Sequence, residues 1–566
     1  MRDFQNIEQE AYDLIIIGGG INGAAAARDA TLRGLKTALV EKNDFASGST
    51  SWSTRLIHGG LRYFEYFEFN LVRESLHERE VLLNSAPHLA EPIQMTIPIY
   101  QSGSRSYWEI QAGMLLYDIL SYDKTLPNHR MLGRKKMRQL YRTVNTEALT
   151  GAAQYYDAQA EYAERLCWEN ILSATEAGGT MLNYVEVTGI QRNGDRITAL
   201  NCKDQLTDQD FKLNCGDKTL VLNTSGPWVD KVLGLGQQDE SANPIGQTRK
   251  IGGTKGSHIF VDAFPGAPDN AFYVEAKSDN RPFFILPRLG MYLIGTTDKR
   301  YDGSIDDIKA DDGEIDYLIQ ETNLIFPTAN LTRQNVRFTY SGVRPLPYAE
   351  GKKPGSITRN HILFNHGKEG VKNLISLIGG KLTTHRQVGE EAVNLVYRYR
   401  MQSVPPCPTH KRPLPGAILP DDPQVAQALS DYAGRVNPKA IHHLFVIYGA
   451  KAPGVLALID EDASLGEPIV DYLLDIKAQA VYAVQSEMAY TLVDICRRRT
   501  TLSMQANYGF DALPGVVDAL KQHCNWSDEK CDRQVAAYRK FMEDNCLPDY
   551  VMQAESEARS LQATAG

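Results

Sequence analysis

Residues 12–41 read YDLIIIGGGINGAAAARDATLRGLKTALVE, and their order decides the fold. The run from Leu14 to Ile17 is short, uninterrupted and apolar, the pattern of a parallel strand buried on both faces. It stops at a glycine cluster in which Gly18, Gly20 and Gly23 satisfy G-x-G-x-x-G. A small-residue helix follows, then a second strand closed by Glu41, about twenty residues beyond the glycines. Each part has a physical role. Gly18 permits the tight turn, Gly20 lets the backbone approach a pyrophosphate, and Gly23 with the alanines lets helix and strand pack closely. The helix N-terminus offers amides and a positive dipole to phosphates, and Glu41 can accept from ribose hydroxyls. A glycine-rich turn that binds nothing does not account for all five parts in this order. The stretch predicts a site for an adenine dinucleotide.

At 566 residues the chain exceeds one core, so two or three domains are expected. Its 43% apolar and 23% charged residues are ordinary for a globular protein. A net charge of -9 argues against nucleic acid as the main partner. No apolar run approaches the length of a membrane span, and residues 1–11 lack the regions of a signal peptide. The eight cysteines are scattered without metal-ligand or disulfide-framework spacing. The expectation is a reduced, cytoplasmic enzyme without a metal.

Beyond the opening unit, 69–86 has helical spacing, 93–100 reads as strand, and 158–178 as helix. Residues 181–200 read as strand, turn, strand, and 281–297 as a hairpin turning at Pro287 to Gly290. Both 218–234 and 374–397 repeat the grammar of strand, glycine turn and helix. The stretch 403–416, with five prolines, suits a linker, and helical patterns dominate beyond it. The last dozen residues read as frayed. These pieces place a discontinuous nucleotide-binding domain over 12–100, 150–235 and 355–402. A substrate domain is expected over 101–149 and 236–354, and an all-helical cap over 415–545.

Several segments carry candidate chemistry. ASGSTSWSTRLIHGGLRYF (46–64) is a hydroxyl-rich loop fit to wrap a pyrophosphate, and it delivers His58, Arg62 and Tyr63 beside the cofactor. GGTKGSH (252–258) puts Lys255 and His258 on a glycine-flexible strand entry, where cation and imidazole suit an anionic substrate. TYSGVRPLP (339–347) holds Arg344 between glycine and proline, and Arg359 follows in ITRNH; a guanidinium aimed this way grips phosphate in a fork. For each arginine the competing reading is an ion pair. GGKLTT (379–384) opens a helix but is no Walker A loop, because the lysine precedes leucine and the upstream glycine is missing. Its amides and Lys381 can serve a cofactor ring or the substrate. GTTD (295–298) is expected to close one wall of the pocket.

In order, GGGINGAAAARDATLRG, RLIHGGLRY, APHL, NTSGPWV, KGSH, IGTTD, YSGVRPL, ITR, GGKLTT and RRRT resemble the FAD-dependent glycerol-3-phosphate dehydrogenases, respiratory enzymes linked to quinone. The resemblance runs from about 12 to 510. It implies an α/β fold: a glutathione-reductase-type, Rossmann-like FAD domain, an inserted antiparallel-sheet substrate domain and a C-terminal helical cap. It also implies oxidation of sn-glycerol 3-phosphate to dihydroxyacetone phosphate, and peripheral attachment to the inner face of the cell membrane, commonly as a homodimer. Carried over residue by residue, FAD contacts fall on Gly18, Gly20, Asn22, Gly23, Glu41, Ser49, Thr50 and Ser51. They continue at Val187, Ser225, Gly226, Gly380, Lys381, Leu382 and Thr383. Arg62, Tyr63, Lys255, Arg344 and Arg359 are implied to bind substrate, and His58, His258 and Lys381 to be catalytic. Which histidine is the base stays open. Two other readings stand beside this one: an oxidase of the same flavoprotein group that uses oxygen on glycerol 3-phosphate or an amine, and an FAD-carrying membrane sensor without turnover. For membrane contact the candidate stretches are LRYFEYFEF and the arginines at 497–499.

Overall fold

The computed structural model describes residues 3–238, 245–246, 248–352 and 354–552. The last dozen residues, expected to be frayed, lie outside the described residues. The nucleotide sheet has six strands in the order Ile362–Asn365, Leu374–Ile378, Leu220–Asn223, Leu14–Ile17, Thr37–Val40, Thr180–Leu182. All neighbours run parallel except the antiparallel first strand. The uninterrupted LIII run is explained by its two covers. Leu14 and Ile16 pack toward the helices, while Ile15 and Ile17 pack toward the three-stranded sheet 185–214. Fully burying such a side chain contributes roughly 1.5–3 kcal/mol. The alanines of Ile21–Leu32 have a packing reason as well. Gly389 of the helix His385–Tyr399 lies directly against the Ala25–Ala26 backbone, an approach that larger side chains would hold apart.

A ten-stranded sheet forms the second part. It is antiparallel apart from one parallel join, Glu91–Tyr100 beside Ala271–Glu275. Its membership moves the expected boundaries. Glu91–Tyr100 and Leu149–Gln159 pair with each other along their length and belong here, not to the nucleotide sheet. Likewise the helix expected over 158–178 begins only at Ala163, because the preceding residues continue that strand. One face of the sheet is covered by the helix Asp312–Ile325. The other face meets the helices Phe69–Ser85 and Tyr107–Leu120 and part of the helical region beyond 415.

That helical region runs from Pro423–Asp431 to Asp528–Asn545 and also seals the helix side of the nucleotide sheet. Its stretch Pro438–Glu461 is long and apolar enough to cross a membrane, yet Ile441, Leu444, Phe445 and Leu456 are buried in the protein core. The arginines 497–499 are buried too, which removes them as a membrane-facing cluster. Arg498 and Arg499 both bind Asp44, three residues past Glu41, so this region grips the loop that leaves the second nucleotide strand.

Candidate active site

The active-site side chains arrive from four distant segments. Gly60 (φ 74°) starts the short helix Leu61–Tyr66, and a side chain there would collide with the Tyr63 ring. Tyr63 is therefore laid back over its own turn. Lys381 places its ammonium 4.9 Å over that ring and donates to Ser75 Oγ at 2.6 Å. Burial lowers Lys381 to about 8, with Glu74 and Glu68 opposing. Burial raises the Tyr63 phenol, while Arg359, Arg344 and Arg62 pull it down from close by. Arg344 sits at the end of Val336–Arg344, where Nη1 donates to Asp298 Oδ1 at 3.2 Å. Its Nη2 donates to Thr296 Oγ1 and to the Thr297 carbonyl, both at 3.2 Å. Gly256 leaves the room this guanidinium occupies.

Asp298 is the pivot of the cluster. Its carboxylate also meets Arg359 at 3.4 Å and Arg281 at 3.6 Å. Burial opposes its charge, but the three arginines outweigh that and hold the carboxyl below its ordinary range. One carboxylate among three guanidinium groups leaves net positive charge, the complement of a phosphate dianion. Arg62 lies against Gly355 and Tyr66 and faces Tyr63, as Arg344 and Arg359 also do.

The two histidines differ in freedom. His258 is 2% exposed, its Nε2 is 2.9 Å from Thr54 Oγ1, and its ring packs on Tyr340. Burial, with Arg344 and Arg55, pushes it down to about 3. His58 is less enclosed, and its backbone N–H donates to Thr383 Oγ1 at 3.2 Å, tying HGGLRY to GGKLTT. Burial also lowers His58, against the attraction of Asp157. Behind it, Gly59 N–H donates to Tyr117 Oη, and that hydroxyl donates to Asp157. Lys255 does not join this group. Three residues before His258 on one strand, it points from the opposite face and binds Glu314 at 2.7 Å and Asp311 at 3.3 Å. It is a structural ion pair, not a substrate contact.

At the nucleotide end, Gly18 (φ 109°) makes the turn, and a Cβ on Gly23 would run into the Gly18 carbonyl. Gly20 differs: a Cβ there would meet only Thr50 Oγ1 at 3.5 Å, so protein packing does not demand glycine. No side chain caps the helix Ile21–Leu32 at Gly20, although Thr50 Oγ1 accepts from Ile21 N–H at 3.1 Å. Glu41 Oε2 accepts from Gly19 N–H at 2.7 Å. Burial lifts this carboxyl above its usual range, against the amides of Asn43 and Gly19.

The FAD dependent oxidoreductase family matches residues 13–386, and the C-terminal domain of alpha-glycerophosphate oxidase matches residues 407–531. A glycerol-3-phosphate dehydrogenase of Synechocystis sp. is 61% identical over 98% of this chain and 100% of its own length. The chain belongs to the FAD-dependent glycerol-3-phosphate dehydrogenase family. A D-erythritol 1-phosphate dehydrogenase of Brucella abortus is 38% identical over 87% of this chain and 95% of its own. The solved glycerol-3-phosphate dehydrogenase of Bacillus halodurans, complexed with FAD, superimposes with a TM-score of 0.75 at 27% identity, covering 96% of each chain.

The nucleotide end fits the family's cofactor. Asn22 Oδ1 is buried without a hydrogen-bond partner, and Gly380 (φ 91°) faces the same amide, so both glycine turns converge on one unsatisfied group. Ser49 donates to the Val343 carbonyl at 2.8 Å and joins the loop to the strand of Arg344. Val187 packs in the core beside the second nucleotide strand, two residues past Val185, whose N–H donates to the Glu41 carbonyl. Leu382 and Thr383 begin the turn into His385–Tyr399, and Gly226 (φ 58°) opens the matching turn after Leu220–Asn223. Two hydroxyls are turned away. Ser51 donates to the Ala46 carbonyl and Ser225 to Asn223, and their backbone N–H groups are engaged as well, with the Gly48 carbonyl and Asn223 Oδ1. Asp298, Arg281 and Ser75 have roles that sequence reasoning missed. An acid at the end of GTTD, with arginines expected nearby, was the signal for Asp298.

Proposed function

We propose that this enzyme oxidises sn-glycerol 3-phosphate to dihydroxyacetone phosphate and passes the electrons to membrane quinone. The observation that carries the substrate is the arginine cluster around Asp298, set beside His58 and Lys381. Arg344 and Arg359 bind the phosphate and Arg62 closes its outer side, which fixes the distance to C2. His58 takes the proton of the C2 hydroxyl as the C2 hydrogen leaves with its electron pair. FAD, when bound, supplies the hydride acceptor. His258, neutral and locked on Thr54 and Tyr340, shapes the wall. Lys381 supplies positive charge next to the reacting oxygen. The enzyme would hold FAD with Gly18, Gly20, Asn22 and Gly23, with Glu41 on ribose and Gly380 to Thr383 at the ring.

The test is an anaerobic titration of the FAD-loaded enzyme. Glycerol 3-phosphate should bleach the visible flavin band, and a short-chain quinone should restore it. Stoichiometric hydrogen peroxide in air would instead mark an oxidase, and no bleaching a sensor. The Brucella relative's name gives a competing substrate. Both molecules carry the same phosphate, so a higher kcat/KM for D-erythritol 1-phosphate would displace glycerol 3-phosphate from this reading. Lys381 gives a pH signature. Its ammonium is the useful form and is lost as pH rises through about 8, so kcat/KM should fall on that alkaline limb. Lys381→Arg should move the limb upward by more than one pH unit.

Support for membrane contact comes from an exposed apolar surface. Phe67 is 79% exposed, Trp108 73% and Tyr122 79%, with Leu115 and Ile119 more than half exposed on the helix Tyr107–Leu120. Phe67 belongs to the stretch LRYFEYFEF, next to the segment of Arg62. The next helix in the chain, Arg134–Leu140, presents Arg134, Lys135, Lys136 and Arg138 to solvent, basic residues of the kind that suit an anionic bilayer. Trp108→Ser combined with Tyr122→Ser should abolish flotation with vesicles containing anionic lipid and leave turnover with a soluble acceptor unchanged. Unchanged flotation would remove this surface as the membrane contact.

A further inference from the structure

Six arginines are buried where the helical cap meets the rest of the molecule: Arg55, Arg165, Arg288, Arg497, Arg498 and Arg499. Four have a carboxylate each. Arg55 pairs with Glu164, Arg165 with Glu487, Arg498 with Asp494 and Arg499 with Asp44. Arg497 and Arg288 are left over. The one carboxylate within ion-pair distance of Arg497 among the described residues is Glu164, at 3.8 Å and already held in a fork by Arg55; Arg497 also donates to Met504 Sδ at 3.4 Å and lies over the Trp52 and Tyr340 rings. Arg288 is 4% exposed and has no carboxylate within ion-pair distance among the described residues. Its Nε and Nη1 are buried without a hydrogen-bond partner. Burial and the nearby Arg55 depress it to about 10, with Glu161 and Glu164 opposing from farther off. Asp475, another buried acid of this region, is engaged by Thr501, Gln479 and His443.

Arg288 and Arg497 line one narrow cavity whose wall also includes Arg165, Thr500, Thr501 and Glu164, the carboxylate that Arg55 already holds. The free space at its centre is about 10 Å³, room for one monatomic ion or one water and too little for phosphate. A water can satisfy N–H groups, but it cannot offset two buried charges. We propose that this cavity is a halide site in which a chloride ion lies between Arg288 and Arg497. The ion ties the hairpin of the large sheet to the cap. It also steadies the loop below it, because Arg497 Nη2 donates to the Ser51 carbonyl at 3.5 Å.

The test uses FAD-loaded enzyme melted at equal ionic strength in sodium chloride, sodium bromide and sodium gluconate, whose anion is too large for the cavity. Chloride and bromide should raise Tm by a few degrees over gluconate. Arg288→Met should keep its turnover and lose that difference. A crystal grown in bromide should show an anomalous peak between the two guanidinium groups. Equal melting in all three salts overturns the proposal, as does a chloride effect that Arg288→Met retains. Should that variant fail to fold, the bromide peak in the parent enzyme decides, and a water without anomalous signal there ends the proposal.

Discussion

His58→Asn is expected to lower kcat by about 10²–10⁴-fold, the usual contribution of a positioned general base, with FAD still bound. The measurement is the rate at which glycerol 3-phosphate bleaches the flavin in a single anaerobic turnover, which separates the chemical step from reoxidation. The choice of His58 rests on the contrast in geometry. A base with its proton affinity pushed down to about 3, as for His258, holds almost no proton at neutral pH and accepts one poorly. His58 is lowered too, but it is less enclosed and stands just before the turn that presents Arg62 and Tyr63. Being lowered, it stays unprotonated and competent across neutral pH, and activity should decline only as acid protonates it. His258→Asn should cost stability more than rate. If His258→Asn abolishes bleaching and His58→Asn leaves it intact, the two roles are exchanged.

Arg344→Met should raise KM for glycerol 3-phosphate by roughly 30- to 5,000-fold, the range for truncating one partner of an enclosed charge pair. Methionine keeps much of the stem, so the strand end and the Gly256 contact survive. Asp298 would retain Arg359 and Arg281, and the fold should hold. Inhibition by inorganic phosphate should weaken in parallel, because it draws on the same charge. An unchanged KM would show that the phosphate lies elsewhere, and would redirect attention to the outer arginine, Arg62.

The nucleotide fingerprint was legible because its reasons are local. Glycines that must be glycine, and a strand buried on both faces, leave their mark within thirty residues. HGGLRY and GGKLTT were legible as tight turns, and the structure joins them through His58 N–H and Thr383. What stayed hidden depends on partners far away in the chain. Asp298 and Ser75 acquire meaning only when Arg344 and Lys381 arrive beside them. The arginines at 497–499 could not reveal that Asp494 and Asp44 would neutralise two of them inside the protein. Lys255 was a different kind of miss. Strand periodicity of two puts residues three apart on opposite faces, so its separation from His258 could have been inferred from spacing alone. The helix Tyr107–Leu120 escaped because its apolar residues surround it: Met114 and Tyr117 turn inward, Trp108, Leu115 and Ile119 outward.

The nucleotide sheet carries a consequence for how the enzyme is made. Its central strand, Leu14–Ile17, leaves the ribosome early, but Leu374–Ile378 and the GGKLTT turn come far later. At about 5–20 residues per second, roughly 20–70 s of synthesis separate Ile17 from Leu374. During that interval the apolar LIII run has no complete sheet to enter, and Asn22 has no Gly380 opposite it. Flavin capture is therefore a late event in biogenesis. Scarcity of FAD would act on nearly finished chains, leaving full-length protein whose last strands must wait for their ligand.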